Sequence, residues 1–574
     1  MSKRKSVEPH EVAGSPASKR ARVEDDLEDV SAPHPRQNGL KETNHTGKTA
    51  PDADDDFDSD EEYSIAAPTQ DKAPLQGYGD LYLDTINRSV LDFDFEKLCS
   101  VTLSNINVYA CLVCGKYFQG RGMKSYAYFH ALDEDHHVYI NMETKKVYVL
   151  PEGYEVLNRS LDDIKYVIDP KFTEEDVKKL DKVPFESVDL SNKRYRPGFI
   201  GMNNIKANDY LNVVVQTLSH VAPIRNFLLL HDFPQNSSQL AIRLSTLVRK
   251  IWNTKAFRNH VSPHELIQEI AIRSSKKFTL TQQSDPVDFI SWFLNSLHVA
   301  LGGSKTKPLS SIIQRTFQGK IRIETQAIRA VETGDDRLRF EESSQIDTKV
   351  SPYMILTLDL PPIPLFRDSV ESKNIIPQVA LTTLLQKYGG LQTSEKANTR
   401  VRHRLLHPLP PYIIFHIKRF SVNKFVSERN PTIVTFPSPR GLDMSPYVEP
   451  NPEFASPSEP IIYEMVSNII LDAATGKGGG EDSNAADAAN RAVGGEGEKV
   501  MWKVQVRDKA VADVAGTEQG RRLPEWREIQ DLYVERAEAE TLFTREGYLM
   551  VWERKTRPRI KEVNGSSKGK TVTR

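Results

Sequence analysis

Cysteine is almost absent from this 574-residue chain, with only Cys99, Cys111 and Cys114, and none after Cys114. Three thiols within sixteen residues of one another are too few and too clustered for a disulfide framework. They fit metal binding in a reducing compartment better. Long apolar runs are also missing: no stretch approaches the roughly 18 residues of a membrane span. The N-terminal MSKRKSVEPH has no apolar core resembling a signal peptide. Neither charge sign dominates, and a net charge of -2 gives no whole-molecule attraction to nucleic acid, so direct nucleic-acid binding is not favoured. What is present, 39% hydrophobic and 27% charged residues, is the balance of a soluble protein with two or three folded units.

Residues 1–77 are rich in Ser, Pro and charge and carry no periodic apolar pattern, so they read as a disordered tail. Lys3-Arg4-Lys5 and Lys19-Arg20-Ala21-Arg22 have the layout of a bipartite nuclear import signal, predicting a nuclear location. Ser59, inside the acidic run Asp52 to Glu62, is a candidate phosphorylation site. A small domain follows over 78–185, where VYINM and KVYVL read as strands. A larger α+β domain spans 197–555: Leu211, Val214, Val215 and Leu218 recur at helical spacing, as do Leu240, Leu244, Leu247 and Ile251, while PYIIFHIKRF reads as a buried strand. The Gly/Ala/Asp/Asn-rich stretch 473–499 reads as a disordered insertion, and 556–574 as a flexible basic tail.

Cys111 and Cys114 are spaced so that both thiolates reach one ion, and His130 and His136 follow in the same small domain. A Cys2His2 set closes a tetrahedron and leaves no position for an activated water, which suits structural zinc. His137, adjacent to His136, and Cys99 stay open as replacements for one ligand. On CLVCGKYFQGRG, SYAYFH and DEDHHVYINM the small domain resembles the zinc finger of ubiquitin proteases, with a Cys-x2-Cys-Gly pair followed by a His-x5-His pair. Family members that capture the free ubiquitin C-terminus use an aromatic platform and an Arg beside the Cys-Gly pair. The resemblance puts Tyr109 and Lys116 there, and Lys lacks the bidentate fork of Arg, which leaves ubiquitin binding open.

The larger domain resembles the ubiquitin-specific proteases, which implies a papain-like finger-palm-thumb fold. GMNNIKANDYLNVVVQTL resembles the box that carries the nucleophile, QSDPVDF the following Gln-Gln-Asp box, and LPPYIIFHIKRF the strand ending in Lys-Arg-Phe. NPTIVTFP, REIQDLYV and GYLMVWERK continue in the family's order. A cysteine protease needs a thiolate, an imidazole and a group that orients it. The resemblance sets Asp209 at the thiol, Met501 or a neighbour in KVMWKV at the His and Gln530 at the orienting Asp, with Asp531 beside it; the last histidine, His416, lies in a strand. Asn204 matches the oxyanion-stabilising Asn.

Asp209 directly precedes a helical pattern, and as an N-cap it is expected to contribute about 1 kcal/mol. The sequence identifies no second carboxylate to pair with it. Taken whole, with IKANDY, VDFISWFLN and NPTIVTFP as signatures, the chain resembles the Sad1-type splicing factors. That resemblance implies a non-catalytic nuclear scaffold that supports the spliceosomal tri-snRNP through protein contacts. A non-catalytic ubiquitin reader and a deubiquitinase with a relocated site are the rival expectations.

Overall fold

The computed structural model describes residues 81–555, apart from 235, 334–336, 363–376, 397–398, 423–426, 437–440, 451–459, 475–498 and 511–524. The expected tails, with the import signal and Ser59, and nearly all of the expected insertion lie outside the described residues.

The first part is a five-stranded antiparallel sheet, β1 (Val108–Cys111), β2 (Tyr117–Gln119), β3 (Val138–Asn141), β4 (Val147–Val149) and β5 (Tyr154–Val156), ordered β2-β1-β3-β4-β5. Successive strand residues point to opposite faces, and both faces are buried. Val108, Ala110, Ile140, Val147 and Val149 belong to one apolar cluster, which extends to Ile164 of α2 (Asp162–Ile168). Tyr109, Cys111, Tyr139 and Tyr148 form the other cluster with Ala127 and Ala131 of α1 (Tyr126–Asp133). A short helix α3 (Glu174–Leu180) follows, started by a capping box between Thr173 and Asp176.

The larger part begins with helices. At its centre is α4 (Asp209–Ser219), every residue of which is buried. A helix buried all round must satisfy its polar side chains internally. Gln216 Nε2 accordingly donates to Ile200 O at 2.8 Å, and Asn212 Nδ2 to Met202 O at 3.3 Å. Around it lie α5 (Ala222–Leu230), α6 (Gln239–Ile251), α7 (His264–Arg273), α8 (Pro286–Ala300) and α9 (Ile312–Phe317). The expected Leu240/Leu244/Leu247/Ile251 stripe is the buried face of α6.

The strands that build the two larger sheets are β6 (Gly319–Thr333), β7 (Arg337–Tyr353), β8 (Ile355–Asp359), β9 (Gly389–Lys396), β10 (Thr399–Leu406), β11 (Tyr412–Lys418), β12 (Ile462–Ala474), β13 (Lys499–Asp508), β14 (Glu525–Gln530), β15 (Tyr533–Ala537) and β16 (Glu546–Arg554). Four of them form a long sheet ordered β7-β6-β10-β9. The main sheet runs β8-β11-β16-β12-β13-β14-β15, parallel only at β8/β11. Ala474 pairs with Lys499, so the expected insertion joins the two arms of the β12–β13 hairpin. The helices pack on this sheet through one core that includes Leu211, Val215, Phe289, Trp502 and Leu549.

The zinc-finger-like part is docked on the helices. Lys250 of α6 donates to Phe93 O at 2.9 Å and to Asp94 Oδ1 at 2.6 Å, and His264 lies 3.0 Å from Glu96. Arg225 grips Asp181 through two bonds of 2.8 and 2.6 Å, while Phe257 packs into the finger's own core.

Candidate metal centre and cleft at the head of the central helix

Four chain segments build the first site. Cys111 ends β1, Cys114 lies on the turn that follows, His130 is on α1, and His136 precedes β3. The turn is fixed by Gly115, whose φ of +78° is left-handed and whose added Cβ would sit 2.8 Å from Val90 O. The ligand atoms of all four residues lie within 4.8 Å of one another. Cys114 Sγ is 3.3 Å from His130 Nε2, which is 3.1 Å from His136 Nδ1. Around a tetrahedral ion with bonds of about 2.0–2.3 Å, ligand atoms are separated by roughly 3.3–3.8 Å, so two sulfurs and two imidazole nitrogens fit zinc. His130 is held by stacking on Phe118, with ring centroids 4.2 Å apart.

The two open alternatives point elsewhere. His137 bonds Leu150 O at 2.7 Å and Asp135 Oδ1 at 2.8 Å, and it stacks on Tyr82. Cys99 is fully buried and lies outside the four-residue cluster. Tyr109 is 5% exposed, its ring set edge-on to Tyr148, so it offers no surface platform for a peptide terminus; Lys116 is exposed.

The second site lies at the head of α4. The structure corrects the capping expectation: Asn208 holds the N-cap position and Asp209 is the first helical residue. Asn208 is drawn into the preceding loop, accepting from Ile205 N at 2.7 Å and donating to Asn203 O at 3.1 Å and Asn212 Oδ1 at 3.0 Å. Asp209 still meets a free backbone donor, with Oδ1 accepting from Tyr210 N at 2.9 Å. Its Oδ2 accepts from Gln283 Nε2 at 2.6 Å and from Trp502 N at 3.2 Å. Even with three donors, burial pushes the Asp209 carboxyl up to about 6.

Asp531, missing from the sequence reading as a partner, lies close enough for its charge to add to that rise. Among the described residues no hydrogen bond joins the two carboxylates, which are tied to separate donors rather than sharing a proton. Asn204 Nδ2 donates to Asp531 Oδ2 at 3.2 Å while its Oδ1 accepts from Asn208 N at 3.0 Å. Met501 and Gln530 are neighbours, with Gln530 Nε2 3.7 Å from Met501 Sδ. Gly201 lets the loops close: an added Cβ would meet the Leu532 backbone at 2.7 Å. His416 is on β11, edge-on to Tyr548 at 5.1 Å, and burial holds its imidazole down at about 4.

Sequence reasoning gave no role to Gln283, Trp502, Asp285 or Tyr548. Asp285 caps α8 through Val287 N and accepts from Tyr548 OH at 2.6 Å, and Tyr548 packs on Trp502 at 4.8 Å. The signal available was their place within the matched boxes. The carboxylates of Asp209, Asp531 and Asp285, the amides of Asn204, Gln283 and Gln530, the Met501 thioether and the Trp502 indole are engaged with one another and with neighbouring groups, an arrangement that can bind and brace.

The ubiquitin carboxyl-terminal hydrolase model matches residues 200–552, and the model described as a zinc finger in ubiquitin hydrolases and other proteins matches residues 99–161. The chain belongs to the ubiquitin carboxyl-terminal hydrolase family. It is 48% identical over 477 residues to the probable mRNA-splicing protein ubp10 of Schizosaccharomyces pombe, covering 83% of this chain and 88% of that one. To the pre-mRNA-splicing factor SAD1 of Saccharomyces cerevisiae it is 32% identical, covering 82% and 93%. The human protein named ubiquitin carboxyl-terminal hydrolase 39 is 41% identical, with 83% and 80% covered. Among solved structures, an essential yeast splicing factor superposes with a TM-score of 0.62 at 30% identity, over 83% of this chain and all of that one. Within its family, the chain is thus a relative of splicing factors, with a zinc-finger domain followed by a protease-like domain.

Proposed function

We propose that this chain is a non-catalytic scaffold in pre-mRNA splicing, working in the nucleus on the tri-snRNP through protein contacts. The observation that carries the non-catalytic half is the occupancy of the cleft. Asp209 is engaged by Gln283 and Trp502, and Met501 and Gln530 face each other where the family resemblance sets an imidazole and its orienting carboxylate. The splicing half is supported by relatives named as splicing factors that align over most of their own length.

In this reading Cys111, Cys114, His130 and His136 hold one structural zinc. The ion supplies folding free energy by joining β1, α1 and the loop before β3, and no reaction step passes through it.

Two measurements test the proposal. Purified protein should neither react with a ubiquitin C-terminal electrophile nor cleave diubiquitin, and tagged protein should co-purify tri-snRNP components from nuclear extract. Turnover abolished by Asp209→Ala overturns the non-catalytic reading. Ubiquitin binding without any spliceosomal component overturns the splicing reading in favour of a ubiquitin reader.

A further inference from the structure

Tyr139 on β3 is fully buried, and its hydroxyl has no hydrogen-bond partner among the described residues. Buried polar groups are nearly always paired, so an orphaned phenol in a packed core calls for an acceptor. The β1/β3 register supplies one, because Cys111 stands directly opposite Tyr139. Leu112 N donates to Val138 O at 2.8 Å and Met142 N to Val108 O at 3.0 Å. Bonded and unbonded pairs alternate along an antiparallel ladder, which makes Cys111 and Tyr139 an unbonded pair, the kind whose side chains approach most closely. Both side chains belong to one cluster, and the Cys111 sulfur is near enough to the hydroxyl to act as its acceptor. The Tyr139 ring also stands edge-on to His130, with centroids 6.3 Å apart. One side chain thus lies against two of the four candidate ligands.

The chemistry of sulfur explains why the hydroxyl is unpaired beside a neutral thiol. A thiol is a weak acceptor, whereas the thiolate that binds a metal takes a charge-assisted bond. Of the two sulfur ligands, Cys111 is fully buried and Cys114 partly exposed. Water can help to solvate charge on Cys114 but not on Cys111, and a buried anion without donors is costly. Val113 and Cys114 offer backbone N–H groups to the Cys111 sulfur from the turn. The phenol approaches from the opposite strand. Burial, and after it the two neighbouring sulfurs, push the phenol above its usual range, so it keeps the proton it would donate.

We propose that Tyr139 is a positioning residue of the metal centre, its hydroxyl donating to the Cys111 thiolate when the ion is bound. The bond spreads the charge on sulfur and fixes the direction in which Cys111 faces the ion. This inference rests on the reading of Cys111, Cys114, His130 and His136 as one zinc site. It adds a fifth residue, outside the ligand set, that sets how tightly the ion is held.

The test uses the full chain with cobalt in place of zinc, since thiolate-to-cobalt charge transfer reports the electron density on the ligating sulfurs. Tyr139→Phe keeps the ring and removes only the hydroxyl. It should weaken zinc binding by about tenfold or more in competition with a chelating dye. It should also move the charge-transfer band to longer wavelength, because sulfur loses a donor. Fluorotyrosine incorporated in place of tyrosine donates more strongly and should move the band to shorter wavelength; this arm decides the matter if Tyr139→Phe does not fold. Tyr148→Phe, which removes a hydroxyl from the same cluster, should leave the band in place. Weaker binding with a stationary band, an equal shift in Tyr148→Phe, or fluorotyrosine without effect would each make Tyr139 a core residue only and overturn the proposal. Wild-type protein that takes up neither zinc nor cobalt overturns the zinc reading itself, and the proposal with it.

Discussion

Gln530 Nε2 points at Met501 Sδ across 3.7 Å, joining β14 to β13 at the head of α4. Trp502, the next residue, turns its backbone N–H to Asp209 Oδ2 at 3.2 Å. Met501 and Gln530 are thus in contact with each other, and the residue after Met501 bonds Asp209, so the positions that the family resemblance assigns to catalysis are linked through Trp502.

This proximity makes the loss of chemistry testable in reverse. Asp209→Cys alone should give a thiol that is buried and lacks an imidazole, so its alkylation should rise only above the ordinary thiol range. Adding Met501→His should shift that rise to lower pH by at least one unit. Alkylation at position 209, followed by peptide mass spectrometry to separate it from Cys99, Cys111 and Cys114, reads the difference. Identical profiles for the single and double variants would show that Met501 does not face Asp209.

Asp209 also sets a pH dependence. Its folded carboxyl is raised from 3.8 to about 6, so the folded state prefers the protonated form. The contribution is fully present below the unfolded value and is lost as pH rises through about 6, a change of about 3 kcal/mol. Asp209→Asn removes the titration. Relative to wild type, the variant should gain about 2–3 kcal/mol between pH 4 and pH 8 in urea unfolding. An offset that stays constant across that range would rule out a buried titrating Asp209.

Two histidines act with the opposite sign. His220 and His416 are both held at about 4 by burial, below their ordinary 6.5. A neutral buried imidazole stabilises above the unfolded value, and that stability is lost as pH falls from 6.5 toward 4. His220 is committed through Nδ1 to Gln216 O at 2.8 Å, whereas His416 meets Tyr548 by its ring edge. His416→Phe should therefore flatten the acid limb at little cost at neutral pH. An unchanged acid slope would remove His416 from the account.

Much of this was legible in the sequence because apolar spacing and motif order are local. The α4 and α6 stripes, the β11 strand and the Cys/His spacing each announce themselves within about twenty-five residues. The cap at Asn208 was not legible, since a carboxylate ahead of a helical pattern reads as a cap until the loop's demand on Asn208 is seen. Gln283 and Asp209, 74 residues apart, and Trp502 and Asp209, 293 apart, meet only through the folded sheet. The burial of Tyr109 was hidden for a related reason: its strand is covered on both faces, so alternation does not tell an inward aromatic from an outward one.

The same long-range contacts alter what metal removal should do. Read from sequence, the finger is a separate domain whose unfolding on chelation leaves the larger one intact. In the structure Lys250, with a side chain 11% exposed, reaches from α6 to Phe93 O and Asp94 Oδ1, and the Asp94 carboxylate holds the Lys250 ammonium above its usual range despite burial. Removing one partner of a buried pair costs about 3 kcal/mol. Chelation that unfolds the finger strips that partner from Lys250 and withdraws the core that Phe257 packs into. Wild-type protein should therefore melt in one calorimetric transition that moves to lower temperature when a chelator is added. Lys250→Met should separate it into two transitions, of which the chelator moves only one. Two resolved transitions in the wild type, with the upper one indifferent to chelator, would return the finger to the status of an independent domain.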